Sequence, residues 1–303
     1  MKDPLRFRET RNTAFRIIVI FFTLVSIIPL IAVLVYIFRQ GISVINWHFL
    51  TSLPKPVGEI GGGILNAIIG STIIIVLATL IAVPLGVTAG IYFSENSRNK
   101  GNRSARSGVN IVSYFRELRK SWVYRAAHLG VDVLQGVPSI VIGILIYLWL
   151  VKPFGRFSAL SGSVALAFMM LPSIIKSTEE TLKLVPHAVK EAALALGVPY
   201  YKTILRVIIP AGMSGILNGI LLGIARVSGE TAPLLFTAFG NPFFSFSIFK
   251  PIASLPLIIF NYAISPYEDW HKLAWGASFI LVSTVLILNI LTKLVLKKWK
   301  VQY

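Results

Sequence analysis

The chain has 303 residues, 55% of them hydrophobic and only 14% charged, with a mean hydropathy of +0.76, which excludes an ordinary soluble domain and reads as an integral membrane protein. It contains no cysteine, which excludes disulfides, thiol catalysis and thiolate metal sites. Its net charge of +17 could serve nucleic acid, anionic lipid or membrane orientation, and where the charge lies decides among them.

Charge-free runs at or above the roughly 18 residues of a spanning helix occur at 17–38, 60–94, 133–151, 157–175, 207–225 and 273–292, so six spans are expected. Residues 1–16 form a basic arm, with Asn12 or Thr13 placed to cap the first span and Pro29 to kink it. The 22 apolar positions of that span exceed the roughly 7–15 of a signal-peptide core, so it reads as a retained helix. Residues 39–63 form an external segment with Trp47 and His48 at an interface and Gly61-Gly62-Gly63 as a flexible entry to the second span. The second run is 35 residues, and Pro84, Gly86 and Gly90 predict a long, kinked or tilted helix.

Residues 94–125 begin as a basic, Gly/Ser/Asn-rich loop. From Val109 to Arg125 the pattern turns amphipathic, with Val112, Phe115, Leu118 and Trp122 at helical spacing, and predicts a short helix on the membrane surface. Gln135 to Ser139 opens the third span and Leu171-Pro172-Ser173 closes the fourth. Their prolines read either as kinks or as a lining of a transport path. The runs 231–249 and 251–267, broken by Pro233, Pro242, Pro251, Pro256 and Pro266, predict an extended external or re-entrant region rather than two spans.

With the amino terminus inside, six spans place 22 of the 29 Lys and Arg residues on the inner side, six outside and Arg226 at membrane depth. That imbalance follows the positive-inside rule and predicts a multi-pass protein of the inner or plasma membrane with both termini cytoplasmic. The basicity thus orients the protein in its lipid bilayer, and no nucleic-acid partner is expected. His48, His128, His187 and His271 form no pair three or four residues apart, so no metal site is expected.

Val185 to Glu230 joins a polar stretch to an apolar one. Lys190 to Leu196 suits a helix, Gly197 suits the left-handed residue after it, and Pro199 is placed to start another. Beyond Pro210, residues Gly212, Gly215, Gly219, Gly223, Arg226 and Glu230 recur at steps of three or four and share one face, where the glycines Gly215, Gly219 and Gly223 permit close helix packing. Arg226 lies about 24 Å along the axis from Pro210. An ionised arginine there costs about 2.5–3.5 kcal/mol and is either a functional group or the partner of Glu230 at i, i+4.

Glu191-Ala192-Ala193, three residues, Gly197, nine residues, then Val207-Ile208-Ile209-Pro210 resembles the EAA loop of ABC-transporter permeases. The resemblance implies a coupling helix for a cytoplasmic ATPase, with Glu191, Ala192, Ala193 and Gly197 at the contact. An amphipathic surface helix with no partner is the alternative. The chain has no Gly-Lys dipeptide and so no phosphate-cradling P-loop; it is not expected to be an enzyme, and it carries no cofactor of its own, ATP and Mg being used by the ATPase.

Ile224 to Asn241, with Gly136 to Val141, Ser177 to Glu180, Ala253 to Pro256 and Glu268 to Trp270, resembles the PstA family of phosphate ABC importer permeases over about residues 60–296. What this implies is an all-α, polytopic membrane fold of the type I ABC importer (MetI-like) kind with six transmembrane helices. It implies partners too: an ATPase dimer (PstB-like), a second permease (PstC-like) and a phosphate-binding protein (PstS-like). Arg226, Glu230 and Thr231 then line the substrate path for inorganic phosphate. The organisation is an N-terminal part at 1–63, a transmembrane domain at 64–296 with a coupling loop at about 176–209, and a tail at 297–303. Alternatives are a permease for another oxyanion (sulfate, molybdate), an ATP-independent anion channel or carrier, and an intramembrane enzyme, for which no catalytic constellation is visible.

Overall fold

A computed structural model describes residues 4–56, 58, 59, 61–101 and 111–298. Among them every regular element is helical, apart from an isolated bridge between Phe239 and Ile252. The helices are α1 (Pro4–Ile42), α2 (Trp47–Thr51), α3 (Leu65–Gly101), α4 (Ile111–Gly136), α5 (Ser139–Ile146), α6 (Lys152–Phe154), α7 (Ala159–Leu184), α8 (His187–Ala195), α9 (Tyr200–Thr203), α10 (Ile209–Ser228), α11 (Ala232–Thr237), α12 (Leu255–Ala263) and α13 (Glu268–Lys298). Single π-helical turns at Tyr147–Val151 and Ile204–Ile208 join α5 to α6 and α9 to α10. The second widens the helix just before Pro210, whose ring has no N–H to give and crowds the carbonyl four residues back.

Among the described residues five helices are long and apolar enough to cross a membrane: α1, α3, α7, the continuous α9–α10 unit and α13. A sixth crossing exists only as a bent pair, Trp122–Gly136 with Ser139–Phe154, at 110° to each other. The third span expected at 133–151, whose Pro138 reads as a kink or as a path lining, is broken at that proline. Pro138 forces extended backbone on the chain just before α5, so the helix stops at Gly136 and restarts in a new direction. The short surface helix expected over Val109 to Arg125 is longer: α4 runs on to Gly136, while residues 102–110 lie outside the described residues.

Two further boundaries differ. No cap forms at Asn12 or Thr13, because α1 is already helical from Pro4 and the basic arm continues into the span. Pro172 does not close the fourth span; it lies inside α7, which runs twelve residues further to Leu184. In a packed bundle, neighbours and local adjustment absorb the carbonyl that a proline frees. The 231–267 region holds only α11 and α12, six and nine residues long, neither able to span.

At the centre of the molecule, α7 lies between α3 and α10, with two-thirds of its most apolar window buried. Small residues on both neighbours make this possible. On α3 a ladder of Ala78, Ala82, Gly86 and Gly90, spaced by four, faces α7, and a Cβ added at Gly86 or Gly90 would fall 2.6 Å from Ile174 or 2.5 Å from Thr178. On α10, a Cβ at Gly215 or Gly219 would fall 2.0 Å from Thr181 Oγ1 or 2.3 Å from Ser177 Cβ, and the Ser177 hydroxyl donates to the Gly215 carbonyl at 2.8 Å. Backbones that approach this closely supply the dispersion contacts that hold helices together in lipid, where the hydrophobic effect offers nothing. Ile74, Ile142, Ile146, Leu166, Met170, Ile174 and Leu234 fill the core around that seam.

Candidate functional site

The α8–turn–α9 segment owes its shape to Gly197. Its φ of +80° is in the left-handed region, where a Cβ would be strained. The Val198 N–H donates to the Ala193 carbonyl at 3.2 Å and the Gly197 N–H to the Leu194 carbonyl at 3.0 Å, the bond pair of a Schellman C-cap. Pro199 then precedes α9. The result is a fixed reversal that presents α8 as a projecting rod. None of its residues is buried: Glu191 and Ala192 are exposed, Ala193 is half-buried and Gly197 is exposed at the tip. The Glu191 carboxylate accepts from, or pairs with, His187 Nδ1 at 3.0 Å along its own helix, both side chains open to solvent.

The base of this rod is set in apolar packing. Leu182 and Val185 at the end of α7 meet Ile204, Ile208 and Ile216, with Val87 and Ile91 of α3 against them. Leu182 and Ile208 are each 1% exposed, so a displacement of α8 and α9 is carried into α10 through close-packed side chains.

Gly212, Gly219 and Gly223 of α10 are buried and Gly215 is half-buried, all on the side toward α7. Beyond Pro210 the exposed positions of α10 are Asn218, Leu222 and Arg226, spaced by four. Arg226 therefore leaves the edge of the glycine seam and stands on the open side of the helix. The helical relation expected between Arg226 and Glu230 is corrected: α10 ends at Ser228, Gly229 closes it, and the Glu230 N–H turns back to the Val227 carbonyl at 3.2 Å. Glu230 is thereby out of helical register, and among the described residues Arg226 and Glu230 form no ion pair. Thr231 lies at the entry to α11, its carbonyl accepting from Leu235 at 3.1 Å.

Two charged clusters escaped the sequence reading. Glu179 of α7 is 3% exposed and meets Lys183 Nζ at 2.6 Å and His128 Nε2 at 3.5 Å; His128 Nδ1 faces Asp132 at 3.2 Å, and Asp132 meets Lys176 at 2.7 Å. This network ties α4 to α7. Glu95 near the end of α3 pairs with Lys190 of α8 and accepts from the Tyr200 hydroxyl of α9 at 2.7 Å. Lys183 sits four residues after Glu179, a spacing visible in the sequence, whereas nothing in the sequence joins Glu95 to Lys190. Among the described residues no three His, Asp or Glu side chains gather as metal ligands.

The model of a family described as the binding-protein-dependent transport system inner membrane component matches residues 110–301. The chain is 41% identical over 261 residues to the phosphate transport system permease protein PstA of Yersinia pestis, covering 86% of this chain and 81% of that one. It is 38% identical over 293 residues to the PstA of Haemophilus influenzae, with 96% of each covered. It is also 34% identical to a probable phosphate transport system permease protein PstA of Methanocaldococcus jannaschii, over 96% of this chain and 95% of that one. Among solved structures, a chain of the MetNI methionine ABC transporter in an inward-facing conformation superposes with a TM-score of 0.59 at 14% identity, over 78% of this chain and 98% of that one. At that identity the likeness concerns the fold, which is all-α and polytopic, of the ABC importer permease kind.

Proposed function

The chain belongs to the binding-protein-dependent transport system inner membrane components and, within them, to the PstA permeases; on that premise we propose that it is the membrane-spanning subunit through which an ATP-driven importer carries inorganic phosphate into the cell. The observation that carries the reading is Arg226, an arginine on the open side of an apolar helix with no ion pair among the described residues. An arginine at membrane depth costs about 2.5–3.5 kcal/mol unless something offsets it. A tetrahedral oxyanion matches the guanidinium fork, and Glu230 and Thr231 close by belong to the same path.

The chain has no P-loop, so energy comes from a separate ATPase dimer (PstB-like) that docks on α8 through Glu191, Ala192, Ala193 and the Gly197 tip. A second permease (PstC-like) completes the path, and a phosphate-binding protein (PstS-like) delivers the anion on the far side. Both chain termini and the α8 rod then lie in the cytoplasm. The test is uptake of radiolabelled phosphate by the reconstituted complex. Arg226→Gln should abolish uptake while every subunit still co-purifies; undiminished uptake would remove Arg226 from the path. Phosphate uptake that unlabelled sulfate or molybdate matches in competition would reassign the substrate, and uptake persisting without the ATPase would make the chain a channel or carrier.

A further inference from the structure

We propose that Glu95 is a positioning residue that fastens α8 to the end of α3, so that movement of α8 reaches the bundle on both sides of α7 rather than through α10 alone. This rests on the reading of α8 as the helix on which the ATPase docks. The geometry begins with what α8 lacks. It buries none of its residues, so apolar packing does not fix its tilt. Its two ends are anchored by the chain itself, through Val185 on one side and Ile204 on the other.

Between those ends, the contact that reaches α3 is polar. The Lys190 ammonium, with its side chain 12% exposed, pairs with Glu95, itself 18% exposed and 95 residues earlier in the chain. The Tyr200 hydroxyl donates to the same carboxylate oxygen at 2.7 Å, and the Lys190 ammonium lies 4.9 Å from the centre of the Tyr200 ring. One carboxylate of α3 thus gathers a cation from α8 and a phenol from α9, and the ring stacks beneath the cation it shares.

The neighbouring residue shows how the helix divides its faces. Lys190 turns toward the bundle, whereas Glu191, one step of about 100° round the helix, has a side chain 64% exposed and paired with His187 of its own helix. The rod therefore has an anchoring face and an open face one residue apart. A push on the open face rotates the anchoring one, and Glu95 passes that rotation to α3. Since α3 and α10 hold α7 between their small-residue ladders, the displacement arrives at both seams together. A pair withdrawn from water to this degree is rigid enough to act so; an exposed pair would slip.

The experiment uses the complete importer in proteoliposomes, with the partner subunits made cysteine-free; this chain has no cysteine of its own. Spin labels at Tyr92→Cys on α3 and Leu196→Cys at the α8 tip report the distance between the two elements. A cross-link from Leu196→Cys to the ATPase reports docking. Glu95→Ala should leave the subunits co-purifying, broaden the distance distribution, and raise the ATP hydrolysed per phosphate transported at least about fivefold, the low end of coupling effects between sites. Tyr200→Phe, which removes a single hydroxyl, should shift both readouts in the same direction by less. The exchange Glu95→Lys with Lys190→Glu should narrow the distribution again and lower the ratio. A wild-type complex that gives no cross-link would overturn the docking reading and the clamp with it. A cross-link present in wild type and Glu95→Ala alike, with distance width and ratio unchanged, would overturn the clamp alone.

Discussion

Replacing Gly219 by Ala places one methyl group in the seam between α10 and α7. Its Cβ would lie 2.3 Å from Ser177 Cβ and 2.6 Å from Ser177 Oγ, against the roughly 3.5–4.0 Å at which carbon atoms rest. The helices must part by about 1.2–1.7 Å or Ser177 must move, and it cannot swing freely while its hydroxyl donates to the Gly215 carbonyl at 2.8 Å. Overpacking of this kind costs about 1–3 kcal/mol. The better helix propensity of alanine returns about 1 kcal/mol, which leaves a net loss of about 0–2 kcal/mol. The decisive comparison is a double-mutant cycle with Ser177→Gly, which removes both clashing atoms; the next nearest, the Ser173 carbonyl, lies at an ordinary 3.4 Å. Unfolding free energies measured in mixed micelles should show Gly219→Ala far less damaging in the Ser177→Gly background, with a coupling of at least about 1 kcal/mol. Additive costs would refute the seam, because two groups that do not meet have nothing to compensate.

Gly197→Ala should weaken ATPase docking and stimulation, since an L-residue at φ +80° costs about 1–2 kcal/mol and the Schellman turn must reopen; Gly197→Asn, tolerant of that region, should retain more of both in a co-purification and ATPase assay. Glu179→Ala should lower stability by about 2–3 kcal/mol in thermal unfolding, because it strips a buried carboxylate from Lys183 and His128. The figure lies below the about 3–5 kcal/mol of a fully buried pair because the Lys183 side chain is 37% exposed and can recruit water. By contrast, Lys272→Ala breaks a pair that is 65% and 70% exposed and should leave the same thermal unfolding unchanged within its error.

The features legible in the sequence are those set by local rules. Gly197 announced its turn because few other residues accept that backbone, and Pro199 marked the restart. The glycines of α10 announced a close helix contact by their spacing, although not that α7 would supply it. The failures came where a local rule was overridden by a neighbour. Pro172 looks like a helix end in isolation, yet α7 is enclosed on several sides and runs through it. Pro138 looks similar and does break its helix, its own backbone being extended where the chain turns through the 110° bend. Arg226 and Glu230 were placed on one face by assuming that the helix lasts to residue 230. The sign against this was Gly229 followed by Thr231-Ala232-Pro233, a stop and a new start within five residues. The Glu95 clamp and the His128 cluster depend on which helices lie side by side, and a sequence period within one helix carries no information about that.

The placement of α1 bears on how the molecule is made. Its most apolar window is entirely unburied, and its packing is chiefly against α13, through Tyr36 on Trp275 and Phe38 on Phe279. The ribosome makes α1 well before the helix on which it packs. At about 5–20 residues per second, the stretch between Ile42 and Glu268 takes roughly 10–45 s to synthesise, and for that time α1 must persist as a lone helix in lipid. The apolar part of α1, the most hydrophobic of the five candidate spans among the described residues, suits it to that interval. Docking of α1 on α13 then closes a contact between helices far apart in the sequence, one that can form only after α3, α7 and α10 have been made.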